Sequence, residues 1–175
     1  MNAAEGSCLV VLRGNSASGK STTAHALREA HGRGMALVEQ DHLRRTLLWE
    51  KDRPGAANIG LIDLTVRHAL AHGYHVVLEG ILRADHYGAM LTSLARDHPG
   101  RTRAYYFDLP FDVTLERHSN KALAAEFGEP VLRRWWRHHD LVPGLGETTI
   151  DRHWTVEGAV ARILHDCGLH ALHDP

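Results

Sequence analysis

The sequence lacks the features that mark disulfide-rich, secreted and membrane-spanning proteins. It contains two cysteines, Cys8 and Cys167, which lie in apolar surroundings and form no C-x-x-C pair. This pattern excludes a disulfide-stapled fold and favours buried, reduced thiols. No apolar run is long enough for a membrane span or for the core of a signal peptide. These absences predict a soluble, cytoplasmic protein with no membrane partner.

The sequence also has no excess of charge of one sign. Its 20 Lys and Arg residues are balanced by 21 Asp and Glu residues, so the formal net charge is −1 at pH 7. Nucleic acid is therefore not a favoured partner, although a balanced net charge does not exclude local basic patches. The 15 histidines are scattered without H-E-x-x-H or paired ligand spacing, which disfavours a histidine metal site.

The chain is long enough for one well-packed domain and short for two. It has 175 residues and shows no internal repeat, low-complexity tract or shift in composition, so we predict a single domain over residues 1–175. Short apolar runs alternate with longer amphipathic stretches, which is typical of a parallel α/β sheet. The predicted strands are residues 9–12, 35–38, 75–78 and 103–107, with a weaker fifth strand at 147–150.

The most informative segment is G-x-x-x-x-G-K-S, which follows the first apolar run. Gly14 and Gly19 allow a tight turn whose N–H groups can surround phosphate oxygens at the start of a helix. Lys20 supplies a charge for the β- and γ-phosphates, and the Ser21 hydroxyl can bind Mg²⁺. The predicted nucleotide-binding residues are Gly14, Asn15, Ser16, Ala17, Ser18, Gly19, Lys20, Ser21 and Thr22. A dinucleotide site is disfavoured, because its G-x-G-x-x-G pattern needs a glycine at Ser16.

Further candidates lie where the apolar runs end, because ligands gather beyond the carboxyl ends of the strands in an open α/β sheet. Asp41 follows the second run, and its carboxylate can accept the proton of a hydroxyl that attacks the γ-phosphate. The alternative is that Asp41 only caps the helix after it. Arg44 or Arg45, one turn further on, can hold an anionic or polar acceptor.

The third run ends in Glu79, a position from which a carboxylate can lie near Mg²⁺. Gly80 would let a ligand approach the backbone closely. Arg83 can reach the acceptor or the transferred phosphoryl group. The alternative for this segment is a plain acid–arginine pair at the surface.

Cations and aromatic residues are concentrated further along the chain. Arg117, Lys121, Arg133 and Arg137 flank the Trp135-Trp136 pair. In a phosphotransferase such a segment can close over ATP and place cations against the charge on the transferred group. The alternative is a helical hairpin with a solvated basic face.

With these motifs the chain resembles the small P-loop kinases, the group that includes gluconate kinase, chloramphenicol phosphotransferase, polynucleotide kinase and the zeta toxins. The resemblance rests on residues 14–21, on Asp41 with Arg44, on residues 78–83, and on Arg117-His118 leading into residues 125–128. It implies a three-layer P-loop NTPase fold with a five-stranded parallel sheet flanked by helices. It also implies a helical lid at about residues 117–140 and the use of ATP and Mg²⁺.

The resemblance implies roles for particular residues as well. Asp41 would be the base on the acceptor side, and Arg117 and Lys121 would be the paired lid cations that contact adenine and phosphates. Relatives often carry arginine where this chain has Lys121, which puts a bidentate phosphate contact there in doubt. The acceptor pocket is the part that differs most within the group, and residues 52–58 are expected to contribute to it.

These observations lead to one favoured function and two alternatives. The favoured one is a kinase that transfers the γ-phosphoryl group of ATP to a hydroxyl of a small molecule, such as an antibiotic, a nucleoside or a sugar derivative. The alternatives are a polynucleotide 5′-hydroxyl kinase and a nucleotide-sensing module that hydrolyses ATP slowly. The predicted catalytic residues are Lys20, Asp41 and Arg117. The predicted substrate-binding residues are Asp41, Arg44, Arg45, Glu79, Arg83, Arg133 and Arg137, and the predicted Mg²⁺ ligands are Ser21 and Glu79.

Overall fold

A computed structural model describes residues 6–119 and 128–171 of the chain. Within these residues, five parallel strands form one sheet in the order β2-β3-β1-β4-β5. The strands are β1 (Leu9–Gly14), β2 (Met35–Glu39), β3 (His75–Gly80), β4 (Thr102–Phe107) and β5 (Thr148–Ile150). The predicted α/β class and its five-stranded parallel sheet are thereby confirmed.

Six α-helices and one π-helix accompany the sheet in the described part of the chain. The α-helices are α1 (Lys20–His31), α2 (Ala57–Ala71), α3 (Ala84–Asp97), α4 (Phe111–Ser119), α5 (Glu129–Trp135) and α6 (Val156–Cys167), and the π-helix spans His42–Leu47. No helix among the described residues is long and apolar enough to cross a membrane. Lys121 and residues 125–127, which belong to the predicted lid, lie outside the described residues.

The central strand β1 separates two apolar cores, because alternate side chains of a strand point to opposite faces of the sheet. Leu9 and Val11 pack against α2 and α3, while Val10 and Leu12 pack against α1 and α6. All six residues of β1 are buried. This arrangement fixes β1 from both sides and therefore fixes the loop that follows it.

The two cysteines lie together at the end of the sheet opposite to that loop. Cys8 and Cys167 are buried free thiols, as predicted, and their sulfur atoms are 2.8 Å apart. They join the start of β1 to the end of α6, away from the strand ends where a ligand is expected.

Candidate active site

The phosphate-binding loop lies between β1 and α1, as the motif predicts. Gly14 has a φ of +141°, and a Cβ atom there would lie 2.6 Å from the carbonyl oxygen of Phe107. Gly19 has a φ of +102° and directly precedes the first residue of α1. Both positions therefore require glycine, the first for space and backbone conformation and the second for conformation.

Lys20 is turned into this loop. Its ammonium group donates to the carbonyl oxygen of Asn15 over 2.6 Å and contacts the Ser18 hydroxyl over 3.1 Å. All three residues are buried. A phosphate that entered the loop would thus meet a positive charge already held in place.

Ser21 and Glu79 bring two side-chain oxygen atoms together from different elements. The Ser21 hydroxyl donates to Oε2 of Glu79 over 3.2 Å. Burial raises the pKa of Glu79 above its usual value of 4.5, and the nearby Lys20 ammonium opposes that shift. In the described part of the chain, no group of three or more His, Cys, Asp or Glu residues could hold a metal. A hydroxyl and one carboxylate nevertheless suit Mg²⁺, which keeps several waters and uses phosphate oxygens as further ligands.

Asp41 lies at the same edge of the sheet and is exposed. Its carboxylate forms ion pairs with Arg44, over 2.8 Å, and with Arg45, over 3.9 Å. The alternative role as a helix cap is wrong, because Asp41 makes no side-chain cap hydrogen bond. Its backbone is itself helical, with φ −66° and ψ −34°, whereas a capping residue is normally extended. The helix that follows is a π-helix, a form that is frequent at functional sites.

A cavity of about 780 Å³ opens beside Asp41. Arg44, Arg45 and Lys51 contribute three cations to its lining, and Trp49 contributes an indole ring that is 93% exposed. Sequence reasoning missed Trp49; the only signal was a large aromatic residue in a polar segment close to Asp41. The cavity suits a polar or anionic ligand with a flat apolar part.

Residues 52–58, which the sequence predicts to contribute to the acceptor pocket, are not part of the lining of this cavity. Asp52 accepts hydrogen bonds from the Tyr87 hydroxyl and from a ring nitrogen of His86, each over 3.0 Å. The Glu50 carboxylate accepts the backbone N–H groups of Ala57 and Asn58 at the start of α2. The segment is thus tied to α3 through Asp52 and to the cavity-lining Glu50 through the start of α2.

At the end of β3 the structure changes the interpretation of two residues. Arg83 pairs with Asp85, with Nε 3.0 Å from Oδ1, whereas the strand-end acid Glu79 is buried beside Ser21. A Cβ atom at Gly80 would lie 2.6 Å from the Cβ atom of Gln40, so Gly80 makes room for a neighbouring side chain and not for a ligand. The side-chain oxygen of Gln40 accepts the backbone N–H of Leu82 over 2.9 Å.

Arg117 is the predicted lid cation that contacts the phosphate loop directly. Its guanidinium donates to the carbonyl oxygen of Ser18 over 3.2 Å. It lines a second cavity, of about 530 Å³, together with Thr22, Asp151 and Trp154. This cavity lies on the β4–β5 side of the loop, away from Asp41.

Arg133 and Arg137, the predicted lid cations in the second described range, have different surroundings. The guanidinium of Arg133 pairs with Glu129 over 2.7 Å and stacks over the Phe111 ring at 4.3 Å. The backbone N–H of Arg137 donates to Oδ1 of Asn15 over 2.8 Å, and its side chain is exposed. Only Arg137 of this pair is thus linked to the phosphate loop among the described contacts.

Arg13 is a further residue that sequence reasoning missed. Its side chain is completely buried directly before the loop. The guanidinium pairs with Glu147 over 2.8 Å and with Asp140 over 3.1 Å, and it donates to the carbonyl oxygen of Leu82 over 2.8 Å. The signal in the sequence was a lone charged residue inside an otherwise apolar strand.

Comparisons with known proteins agree with this fold. A family model described as an AAA domain (AAA_33) matches residues 9–141. The fold is similar to that of the APS kinase CysC of Mycobacterium tuberculosis in complex with AMPPNP and APS, with a TM-score of 0.71, 16% identity and coverage of 93% of this chain and 98% of that one. No curated protein matches the sequence.

Two further structures share the fold. A gluconokinase from Sinorhizobium meliloti 1021 has a TM-score of 0.63 and 18% identity, with 93% of each chain covered. The tunicamycin resistance protein of Deinococcus radiodurans has a TM-score of 0.62 and 19% identity, with 96% of this chain and 99% of that chain covered. At these identities the similarity establishes the fold alone.

Proposed function

Because the chain belongs to the AAA domain family and has the fold of the small P-loop kinases, we propose that it is a kinase for a small molecule. In this proposal it uses ATP and Mg²⁺ to phosphorylate a hydroxyl group. The observation that carries the proposal is the convergence of Lys20, Ser21, Glu79 and Asp41 at one edge of the sheet. A charge for phosphate, a pair of metal ligands and a carboxylate base are the parts that phosphoryl transfer needs.

On the donor side, the loop would hold the β- and γ-phosphates with its backbone N–H groups and with the Lys20 ammonium. Ser21 and Glu79 would hold Mg²⁺, which would supply charge neutralisation for the phosphates of ATP. Arg117 would face the nucleoside end of ATP from its cavity on the β4–β5 side. The solved APS kinase with AMPPNP supports a nucleoside triphosphate analogue as the kind of ligand that this fold binds.

On the acceptor side, Asp41 would act as the general base. Its carboxylate takes the proton of the acceptor hydroxyl while that oxygen forms a bond to the γ-phosphorus. The bond between the γ-phosphorus and the bridging oxygen breaks, and ADP leaves with the electron pair. Arg44 and Arg45 form ion pairs with the Asp41 carboxylate in the lining of the acceptor cavity.

The acceptor itself would be polar or anionic. Arg44, Arg45 and Lys51 line the cavity beside Asp41, and Trp49 offers a flat apolar surface next to them. A gluconokinase and an antibiotic resistance protein share the fold, which fits a small hydroxylated acceptor.

The proposal is tested by measuring ADP release from Mg-ATP with a panel of hydroxylated antibiotics, nucleosides, sugars, sugar acids and 5′-hydroxyl oligonucleotides. Lys20→Ala is the blank, because it removes the charge that holds the phosphates. We expect one class of small acceptor to stimulate ADP release and to gain one phosphoryl group by mass. Stimulation by oligonucleotides alone, with steep salt dependence, would favour the polynucleotide kinase instead. Binding of ATP without stimulation by any acceptor would favour the nucleotide-sensing module.

A further inference from the structure

Asn15 joins the phosphate loop to a segment more than a hundred residues away. Its side-chain Nδ2 donates to the carbonyl oxygen of Arg137 over 2.6 Å, and the Arg137 N–H donates to its Oδ1 over 2.8 Å. One amide side chain thus satisfies both backbone groups of one residue. Asn15 is 4% exposed, so these two hydrogen bonds are shielded from water.

The link is made at a particular end of the loop. The backbone carbonyl of Asn15 accepts a hydrogen bond from the Lys20 ammonium over 2.6 Å. Lys20 is the group expected to contact the β- and γ-phosphates, so Asn15 places Arg137 at the reacting end of a bound nucleotide. Arg117, in contrast, is bonded to Ser18 and faces the cavity on the β4–β5 side.

The segment that carries Arg137 is also fixed three residues further on. The Asp140 carboxylate accepts the backbone N–H of Ala84 over 2.9 Å, and its carbonyl oxygen accepts a hydrogen bond from Arg13 over 2.6 Å. The backbone N–H of Asp140 donates to the Tyr106 hydroxyl over 3.2 Å. With Asp140 anchored on the sheet, the bonds from Asn15 decide where the Arg137 backbone lies against the loop.

We propose that Asn15 is a positioning residue for Arg137, and that the Arg137 guanidinium contacts the γ-phosphate of bound ATP. The inference rests on the proposed function to the extent that a nucleoside triphosphate must occupy the loop. An asparagine is needed because its amide offers one donor and one acceptor to the Arg137 peptide. An arginine is suited to the γ-phosphate because its fork of donors matches the charge spread over three oxygens.

The inference predicts a selective effect on triphosphate binding. We would measure the affinities of AMPPNP and ADP, each with Mg²⁺, for the wild type, Asn15→Ala, Arg137→Ala and the double variant. Arg137→Ala should weaken AMPPNP binding about tenfold to a hundredfold and leave ADP binding nearly unchanged, because only AMPPNP carries the γ-phosphate. Asn15→Ala should show the same selective loss. The double variant should bind AMPPNP no more weakly than Arg137→Ala, since Asn15 acts through Arg137.

Arg134→Ala is the matched control, because Arg134 is an exposed residue of α5 that lies close to Arg137 in the sequence. It should leave both affinities unchanged. Equal losses for ADP and AMPPNP in Arg137→Ala, or additive losses in the double variant, would overturn the inference and leave the proposed function standing. If Asn15→Ala fails to fold, Arg137→Ala still tests the γ-phosphate contact, because it keeps the peptide that Asn15 binds. Failure of the wild type to bind either nucleotide would contradict this inference and the proposed function together.

Discussion

The Ser21 hydroxyl donates a hydrogen bond to the Glu79 carboxylate over 3.2 Å and so joins the first turn of α1 to the end of β3. Strand β3 lies beside β1 in the sheet, which brings the carboxyl end of one strand next to the loop that follows the other. The pair places a buried acid near the Lys20 ammonium, which opposes the effect of burial on the pKa of Glu79. Such an acid is costly to ionise until a cation arrives.

This arrangement predicts that Glu79 lowers the stability of the metal-free protein at neutral pH. Burial raises the pKa of Glu79 above 4.5, so the folded protein binds a proton there more tightly than the unfolded chain does. The stabilisation by that proton is complete below about pH 4.5 and is lost as the pH rises through the raised pKa. Glu79→Gln, which stays neutral, should therefore raise the Tm at pH 7 in the presence of EDTA. The gain should shrink towards pH 4.5, as measured by calorimetry.

A matched control is Glu29→Gln, which changes an exposed carboxylate of α1 and should leave the Tm nearly unchanged. A Tm for Glu79→Gln that is below the wild-type value at pH 7 would show that the ionised carboxylate stabilises the fold. That result would contradict the destabilising effect of burying the Glu79 carboxylate.

The assignment of Asp41 as the general base predicts that its replacement slows turnover without weakening nucleotide binding. Asp41→Asn keeps the size of the side chain but cannot take a proton, so kcat with the identified acceptor should fall by about 10²–10⁴-fold. The affinity for Mg-ATP should stay within about twofold of the wild-type value, because Asp41 lies outside the phosphate loop. Steady-state kinetics and calorimetric titration measure the two quantities. Asp97→Asn, a change of a partly exposed acid at the end of α3, is the control and should alter neither.

The parts of the site that the sequence predicted are those set by short-range spacing. The strand, the glycines and Lys20 of the phosphate loop lie within one continuous segment, and strand ends in a parallel sheet fall at one edge. The ion-pair partners of Arg13 and the residue that the Asn15 side chain binds are more than a hundred residues away in the sequence, so no local pattern could reveal them. Asp41 was ambiguous because an acid before a helix is typical both of a cap and of a base. The helical backbone of Asp41 excludes the cap, and the role as base stays a prediction.

The sequence predicts that a ligand approaches the backbone closely at Gly80. The close contact exists, but its partner is the Gln40 side chain. The space that a Cβ atom would need is filled by the Gln40 side chain, whose own Cβ atom would lie 2.6 Å away. Gly80→Ala should therefore push Gln40 away from the Leu82 N–H and leave a buried donor unpaired, which costs about 1–3 kcal/mol. Urea unfolding measures this loss.

Gly60→Ala serves as the control for that change. Gly60 lies in α2 and has no heavy atom within 4 Å of an added Cβ atom. An alanine there should stabilise the protein by about 0.5–1 kcal/mol, because glycine costs more backbone entropy inside a helix. Equal urea midpoints for Gly80→Ala and the wild type would mean that Gln40 has room to move.

We expect Arg13, which directly precedes the phosphate loop, to hold that loop in place. Its side chain is fully buried and the side chain of its partner Glu147 is 2% exposed, so removing the cation leaves a buried carboxylate that keeps the Val142 N–H but loses its ion pair. Arg13→Met should therefore destabilise the protein by about 3–5 kcal/mol, measured by urea unfolding. Arg96→Ala, which breaks a surface pair with Asp97, should cost about 1 kcal/mol or less.

The double variant Arg13→Met/Glu147→Leu separates the cost of a lone charge from the cost of lost packing. Removing both charges should recover much of the stability lost in Arg13→Met, because the uncompensated carboxylate is then gone. Asp140, the second partner of Arg13, is partly exposed and can be solvated when the arginine is absent. No recovery in the double variant would mean that Arg13 acts mainly through its bond to the Leu82 carbonyl, which ties the loop after β3 to the strand that carries the phosphate loop.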